Sequence, residues 1–176
     1  MDGESFQYVK YGENLREKPA SFNSFTGERI LVRRIVNRQM RIMATLTAWR
    51  FVTKKDIYTF KPSDERFSAR YLLAIINSRF ISFTQTTGSA AAKKDDFTQI
   101  TLNDIRQLRV PEPTFSQTND VEYLVDQILT AKKSDPNANT TALEAEIDQL
   151  VYQLYGLTED EIKIVEGETD LDRPPA

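Results

Sequence analysis

The chain has 176 residues, 40% of them hydrophobic, so it is long enough to bury a sizeable core. It contains no cysteine and no histidine, which excludes a disulfide framework and every metal site built on thiolate or imidazole ligands. The net charge is −3, and no apolar run approaches the roughly 18 residues of a membrane-spanning helix. We therefore expect a cytoplasmic protein with no membrane contact.

Charge is distributed unevenly along the chain. Residues 1–100 hold 17 Lys and Arg against 10 Asp and Glu, whereas residues 101–176 hold 6 against 16. The charge asymmetry is strongest in residues 29–55, which contain eight Lys and Arg and no acidic residue. We call this stretch the basic window. A solvated surface normally mixes both signs, so an unbroken basic window indicates a surface that contacts a polyanion.

The first part of the chain is predicted to form short strands. Residues 1–28 show no clear period and are predicted to be irregular. Between residues 29 and 60, β-branched and aromatic side chains crowd into runs that predict antiparallel hairpins or a meander. The runs are RILVRRIV, RIMATLT, WRFVT and DIYTF, separated by NRQM and by a turn at residues 54–56.

A helical period replaces the strand period at Ser68. Apolar residues at helical spacing predict one amphipathic helix from about residue 68 to the low 80s, with Ser68 as its N-cap. The stretch TTGSAAAKKDD predicts an exposed loop. The runs FTQITL and LRVPEP then predict two short strands on either side of a helical turn at residues 103–107.

The acidic second part is predicted to be helical. Apolar residues repeat at helical spacing in 121–129 and in 143–155, which indicates an antiparallel pair. Gly156 suits a C-cap, and Thr158 with Glu161 has capping-box spacing. The predicted fold class is α+β: an antiparallel β meander with an amphipathic helix, followed by a C-terminal helical pair and a short capping helix. The predicted organisation is a mixed lobe at 1–113, a helical lobe at 114–167 and a flexible tail at 168–176.

The basic window supplies the side chains that DNA recognition needs. Lys and Arg neutralise phosphates, whereas Arg, Lys, Asn and Gln read base edges in the grooves. Residues 37–41 fall at a turn between two predicted strands, and a two-stranded ribbon can enter the major groove. The candidate DNA-binding residues are Arg33, Arg34, Asn37, Arg38, Gln39, Arg41, Lys54, Lys55, Lys93 and Lys94.

Two other interpretations of these side chains stay open. The basic sheet surface could pair with the acidic helical part of the same molecule and leave nothing for DNA. Exposed aromatic side chains could stack on bases, although aromatics at strand spacing are more often core. The aromatic candidates are Tyr8, Tyr11, Trp49, Phe51 and Tyr58.

Few kinds of catalysis are open to this composition. Serine–histidine and cysteine–histidine sites are excluded, and the six glycines form no phosphate-binding loop. Glu161 and Lys163, with Asp148 upstream, resemble the acidic pair and lysine of a metal-dependent nuclease. The same acids are explained by the first turn of a helix, where they complement the helix dipole. We therefore predict no catalytic residue and no metal ligand in this chain.

Four stretches carry a resemblance to a known family. Residues 146–167, EIDQLVYQLYGLTEDEIKIVEG, resemble the C-terminal signature of adenine-specific methyltransferases in type IIG restriction-modification enzymes. Residues 28–47, 71–80 and 97–113 follow the order found in the TaqI-like specificity domain of that family. The resemblance covers nearly all of residues 6–167.

The resemblance implies a target-recognition domain that grips double-stranded DNA and has no catalytic activity of its own. In such enzymes the catalytic part flips out an adenine and methylates it from S-adenosylmethionine. The NPPY-type motif of that part is absent here, so we expect no cofactor in this chain, with S-adenosylmethionine and Mg²⁺ in the missing catalytic part. The expected partners are DNA and the methyltransferase or nuclease portion, in the same enzyme or as a partner subunit. The alternative is a helical docking module, residues 120–155, for a methyltransferase subunit.

Overall fold

The computed structural model describes residues 22–87 and 98–168. A 3-10 turn at Phe22–Phe25 precedes the regular elements. The strands are β1 (Arg29–Arg33), β2 (Ala44–Thr47) and β3 (Ile57–Phe60), and the helices are α1 (Ala69–Asn77), α2 (Arg79–Thr87), α3 (Leu102–Arg106), α4 (Phe115–Ser134), α5 (Thr141–Tyr155) and α6 (Glu159–Glu166). The predictions for residues 1–21, for the loop with Lys93 and Lys94, and for the tail from residue 169 lie outside the described residues.

The predicted α+β class with antiparallel strands is confirmed. The central strand β1 pairs antiparallel with β2 on one side and with β3 on the other. A simple meander would instead place the second strand in the centre. Ile30 and Val32 are buried in the core. Because successive side chains alternate between the two faces of a strand, Arg29, Leu31 and Arg33 lie on the opposite face, which we call the outer face.

Residues 48–56 form a crossing segment that connects β2 to β3 over the outer face. The strand predicted for WRFVT is wrong, because residues 49–53 form no strand. Instead the Phe51 carbonyl accepts a hydrogen bond from Arg29 Nη2 at 3.2 Å. The hydroxyls of Thr53 and Thr59 lie 3.1 Å apart. The crossing brings the chain from β2, on one side of β1, to β3 on the other side.

The single helix predicted from residue 68 is two helices, because the chain breaks at Ser78. The predicted N-cap is confirmed, since Ser68 Oγ accepts from the Tyr71 amide at 3.1 Å. Ser78 leaves helical geometry with φ −62° and ψ 153°. Its hydroxyl donates to the Ile75 carbonyl at 2.8 Å and accepts from the Ile81 amide at 3.2 Å, so it closes α1 and opens α2. The apolar period continues across the break, which is why the sequence reads as one helix.

The strands predicted for FTQITL and LRVPEP are wrong within the described residues. Ile35 forms only an isolated antiparallel bridge with Gln99. Residues 108–113 form no regular structure, since Pro111 and Pro113 offer no amide hydrogen to a ladder. The predicted helical turn between them is confirmed as α3.

The acidic helices bury the apolar stripe that the sequence predicts. Val121, Val125, Ile147 and Val151 belong to the same hydrophobic core as β1 and α1. The predicted C-cap is confirmed, because Gly156 takes a left-handed φ of 66° that ends α5. Within residues 22–87 and 98–168, no helix combines the length and the apolar character that a bilayer crossing requires.

Candidate nucleic-acid interface

A tight turn at residues 37–41 connects β1 towards β2. The Met40 amide donates to the Asn37 carbonyl at 3.0 Å, and the Asn37 amide donates to the Arg41 carbonyl at 3.2 Å. The Asn37 side-chain oxygen accepts from the amides of Gln39 and Arg41, at 3.0 and 2.8 Å. Asn37 is therefore a turn-building residue, although the sequence suggested it as a base reader. Arg38 and Gln39 are exposed at the tip.

Met40 adopts the left-handed conformation in this turn, with φ 56°. A three-residue hairpin loop places a residue of that conformation after a type I turn, and glycine or asparagine usually fills it. A methionine there is strained by roughly 1–2 kcal/mol. Backbone strain of this kind clusters at functional sites, so the observation marks the turn as a candidate.

A second turn, at residues 54–57, lies beside the same end of β1. The Arg34 amide donates to the Asp56 carbonyl at 2.9 Å, and Arg33 is paired with Ile57 across the sheet. These contacts bring Lys54 and Lys55 next to Arg33 and Arg34. We refer to Arg33, Arg34, Arg38, Lys54 and Lys55 together as the basic end of the sheet.

The basic end makes no salt bridge within the described parts of the chain. Four of its side chains are exposed and Arg34 is half-buried. Asp56 is the only acidic residue in the two turns. Within residues 22–87 and 98–168, the cluster therefore carries excess positive charge that no salt bridge neutralises.

Arg41 differs from these residues, although the sequence placed it in the same group. Its Nη1 lies 3.4 Å from Asp148 Oδ2, and its Nη2 donates to the Asn77 carbonyl at 2.9 Å. Both contacts reach across to the helices. Arg41 therefore holds the turn onto the helical part, and a DNA contact by this residue stays a prediction.

Asp148 is the buried centre of this junction. Its side chain is 4% exposed and accepts from the Arg79 amide at 2.7 Å, the first residue of α2. Burial raises the pKa of Asp148, while the Arg79 amide and the guanidinium groups of Arg41 and Arg79 act to lower it. Glu166 completes the network by accepting from Arg79 Nη1 at 2.6 Å and from the Tyr152 hydroxyl at 2.5 Å.

Pairing between the basic and acidic parts of the chain is therefore real but selective. Arg70 contacts Asp126 at 2.6 Å and Glu28 at 3.4 Å, and Arg79 contacts Asp148 and Glu166. These arginines lie on α1 and α2, outside the basic window. Of the predicted DNA-binding residues that the structure describes, Arg41 alone forms such a pair.

Two further positions support the turn and were missed by the sequence reasoning. The Asn77 side chain donates to the Ala44 carbonyl at 3.0 Å and accepts from the Ala44 amide at 2.7 Å, as a neighbouring strand would. Ser82 Oγ accepts from the Ile42 amide at 3.1 Å. The Asn77 side chain binds the free edge of β2, and Ser82 binds the backbone just before this strand. Asn77 and Ser82 are polar residues within a run of apolar residues at helical spacing, and this was the signal in the sequence that could have indicated their role.

The residues considered for a nuclease are each engaged with other partners in the structure. Glu161 Oε2 accepts from the Thr158 amide at 2.8 Å, which confirms the predicted capping box and lowers the pKa of Glu161. Lys163 pairs with Asp160 at 3.1 Å. The Asp148 carboxylate forms salt bridges with Arg41 and Arg79. Within residues 22–87 and 98–168, no three acidic, His or Cys side chains are grouped so as to hold a metal ion.

Comparison with known proteins assigns the family. The model of the TaqI-like C-terminal specificity domain matches residues 4–110, more than half of the chain. The chain therefore belongs to the TaqI-like C-terminal specificity domain family. The match includes all three strands, both turns and the basic end.

Two longer proteins are similar to this chain. Over 151 residues it is 36% identical to a protein of Methanocaldococcus jannaschii named as a type II restriction enzyme and methyltransferase, covering 84% of this chain and 13% of that protein. Its fold is similar to that of MmeI, a type IIL restriction-modification enzyme solved in complex with DNA. That likeness has a TM-score of 0.58 at 13% identity and covers 80% of this chain and 20% of MmeI. The chain thus spans a small part of each relative.

Proposed function

We propose that this chain is the DNA target-recognition part of a type II restriction-modification enzyme and gives it sequence specificity. The observation that carries the proposal is the basic end of the sheet, a group of cations without acidic partners among the described residues, in a member of a specificity-domain family. Binding to duplex DNA would neutralise these charges with phosphates. The chain itself contributes recognition and not chemistry.

In this proposal the two turns of the basic end have different roles, one in contacts with phosphates and the other in contacts with bases. Arg33 at the end of β1 and Lys54 and Lys55 in the second turn are exposed, where they are suited to phosphate contacts. Arg38 and Gln39 are exposed at the tip of the tight turn, and both side-chain types can form paired hydrogen bonds with base edges in the major groove. Lys93 and Lys94, outside the described residues, stay proposed as a second contact.

The catalytic steps belong to the rest of the enzyme in this proposal. An adenine methyltransferase part would supply the S-adenosylmethionine site, and a nuclease part would supply Mg²⁺. The junction around Asp148 fixes the recognition turns to the acidic helices, whose outer surface is available for attachment to that catalytic part. A role in docking alone is not favoured, since the apolar stripe of α4 and α5 is already buried in the core.

Selection from a pool of short duplexes of randomised sequence tests this function. We expect the chain to enrich one defined sequence, because base contacts discriminate between sites by about 1–3 kcal/mol each. For that duplex, a plot of log affinity against log salt should have a slope of about −4.5, since five cations each contribute about 0.9. Failure to retain duplex at low salt, or retention without enrichment, would contradict the proposal.

A further inference from the structure

Trp49 is the only tryptophan of the chain and one of its most exposed apolar side chains, with 81% of its surface accessible. It lies at the start of the crossing segment, where its amide donates to Thr47 Oγ1 at 3.2 Å. A large aromatic side chain left in water forgoes about 1.5–3 kcal/mol of burial energy. An aromatic side chain in that position is therefore available to a partner.

The backbone that carries Trp49 is held firmly against the sheet. Arg29 is completely buried beneath the crossing segment and donates to the carbonyls of Gly27 and Phe51, at 3.1 and 3.2 Å. Its guanidinium also lies 4.8 Å from the centre of the Phe51 ring. No carboxylate pairs with Arg29 among the described residues. Arg29 thus ties Phe51, two residues after Trp49, to the sheet and acts as a positioning residue for this segment.

Exposed apolar side chains accompany Trp49 on this side of the sheet. Met43, just before β2, and Ile57, the first residue of β3, lie opposite Arg33, and they are 46% and 39% exposed. Val52, in the crossing segment itself, is 40% exposed. The outer face therefore combines apolar side chains with the cations of the basic end. The five residues of β1 span about 13 Å, close to the roughly 12 Å width of the major groove.

This combination favours a nucleic acid over a protein as the partner. The centre of a protein interface is depleted of charge, whereas every base step in DNA is flanked by phosphates. An apolar side chain that contacts bases consequently needs cations close by. The crossing segment provides both, since Trp49 lies near its start and Lys54 and Lys55 lie near its end.

We propose that Trp49 is a base-contacting residue that stacks on, or wedges against, bases of the bound DNA while the basic end holds the phosphates. The proposal rests on the proposed function and adds the outer face of the sheet to the interface. Stacking of a base on an aromatic side chain is worth about 1–3 kcal/mol. Apolar wedges of this kind also bend the duplex by partly unstacking a base step.

Intrinsic fluorescence tests the proposal directly, because Trp49 is the single tryptophan. Randomised short duplexes are titrated into the chain, and binding is followed separately by anisotropy of a label on the DNA. We expect Trp49 emission to be quenched in parallel with the anisotropy change, and acrylamide to lose access to the indole. Dextran sulfate, a polyanion without bases, should bind without this quenching.

Substitutions supply the second readout. Trp49→Ala should weaken duplex binding about 5-fold to 150-fold, the equivalent of one stacking contact, while Trp49→Phe retains most of the affinity. Tyr123→Ala is the matched control, since Tyr123 is 68% exposed on α4, and it should bind as the unsubstituted chain does. DNA binding with unchanged emission and an unaffected Trp49→Ala variant would overturn the role of Trp49 and leave the proposed function standing. Absence of any anisotropy change would overturn both.

Discussion

Replacing Arg33, Arg38, Lys54 and Lys55 together by glutamine is expected to weaken binding of the selected duplex by about 100-fold or more at moderate salt. Each of these exposed cations lies at the basic end and has no salt bridge within the described residues. Their loss should also make the slope of log affinity against log salt shallower by about 3.6, since each cation contributes about 0.9. Filter binding at several salt concentrations measures both quantities.

The matched control removes the same charge from another surface. Arg106, Arg109, Lys132 and Lys133 are exposed on α3, on α4 and between them, and their replacement by glutamine changes the net charge by the same amount. We expect this variant to retain the affinity within about 5-fold, since charges beyond a Debye length of about 10 Å are largely screened. Equal losses in the two variants would show that net charge, and not the basic end, governs binding.

The second large effect is expected in stability. Asp148→Ala should lower the free energy of unfolding by about 2–4 kcal/mol, because it leaves two guanidinium groups without their shared carboxylate. We expect less than the full cost of breaking a buried ion pair, because solvent partly screens the two guanidinium groups. The Arg41 side chain is 24% exposed and that of Arg79 is 46% exposed. The substitution also removes the acceptor of the Arg79 amide at the start of α2. Urea denaturation monitored by circular dichroism measures the change.

Two variants separate the parts of this effect. Asp148→Asn keeps an oxygen for the Arg79 amide and loses only the charge, so it should cost clearly less than Asp148→Ala. Asp160→Ala removes an exposed carboxylate that pairs with Lys163 within one helix turn, and it should cost less than about 0.5 kcal/mol. A loss for Asp148→Ala as small as that for Asp160→Ala would contradict the role of Asp148 at the junction.

The fold was predictable where one period or one cap dominates locally. The strand at 29–33, the N-cap at Ser68 and the capping box of Thr158 follow from short-range patterns, and the structure contains them. The break at Ser78 was not predictable in this way, because the apolar period continues through it. Besides the Ser78 hydroxyl, the break is supported from far along the chain by the carboxylate of Asp148, which accepts the first amide of α2.

The location of the candidate site follows from the charge pattern, whereas the role of each residue does not. Arg41 and Arg38 look equivalent in the sequence, three positions apart in the same basic window. In the structure Arg38 is exposed at the turn, and Arg41 points to Asp148, 107 positions further on. Local sequence contains no information about such a partner. Charge alone therefore left DNA binding and internal pairing equally open.

The exposure of Trp49 was likewise not predictable from its neighbours in the sequence. Aromatic residues at strand spacing predicted a strand at WRFVT and favoured a core position for Trp49, with stacking on bases as the alternative. The segment instead crosses the outer face, because β3 pairs with β1 and the connection must pass over the sheet. Exposure of the indole is a consequence of that topology and not of its neighbours in sequence.

Mapping the DNA-bound surface by amide chemical shifts tests the central claim most directly. The labelled chain is titrated with the selected duplex, and shift changes are assigned to individual residues. The account predicts the largest changes at residues 33–39 and 49–57, the two turns and the crossing segment, with small changes in α4, α5 and α6. Changes confined to those three helices, with residues 33–39 and 49–57 unaffected, would contradict it.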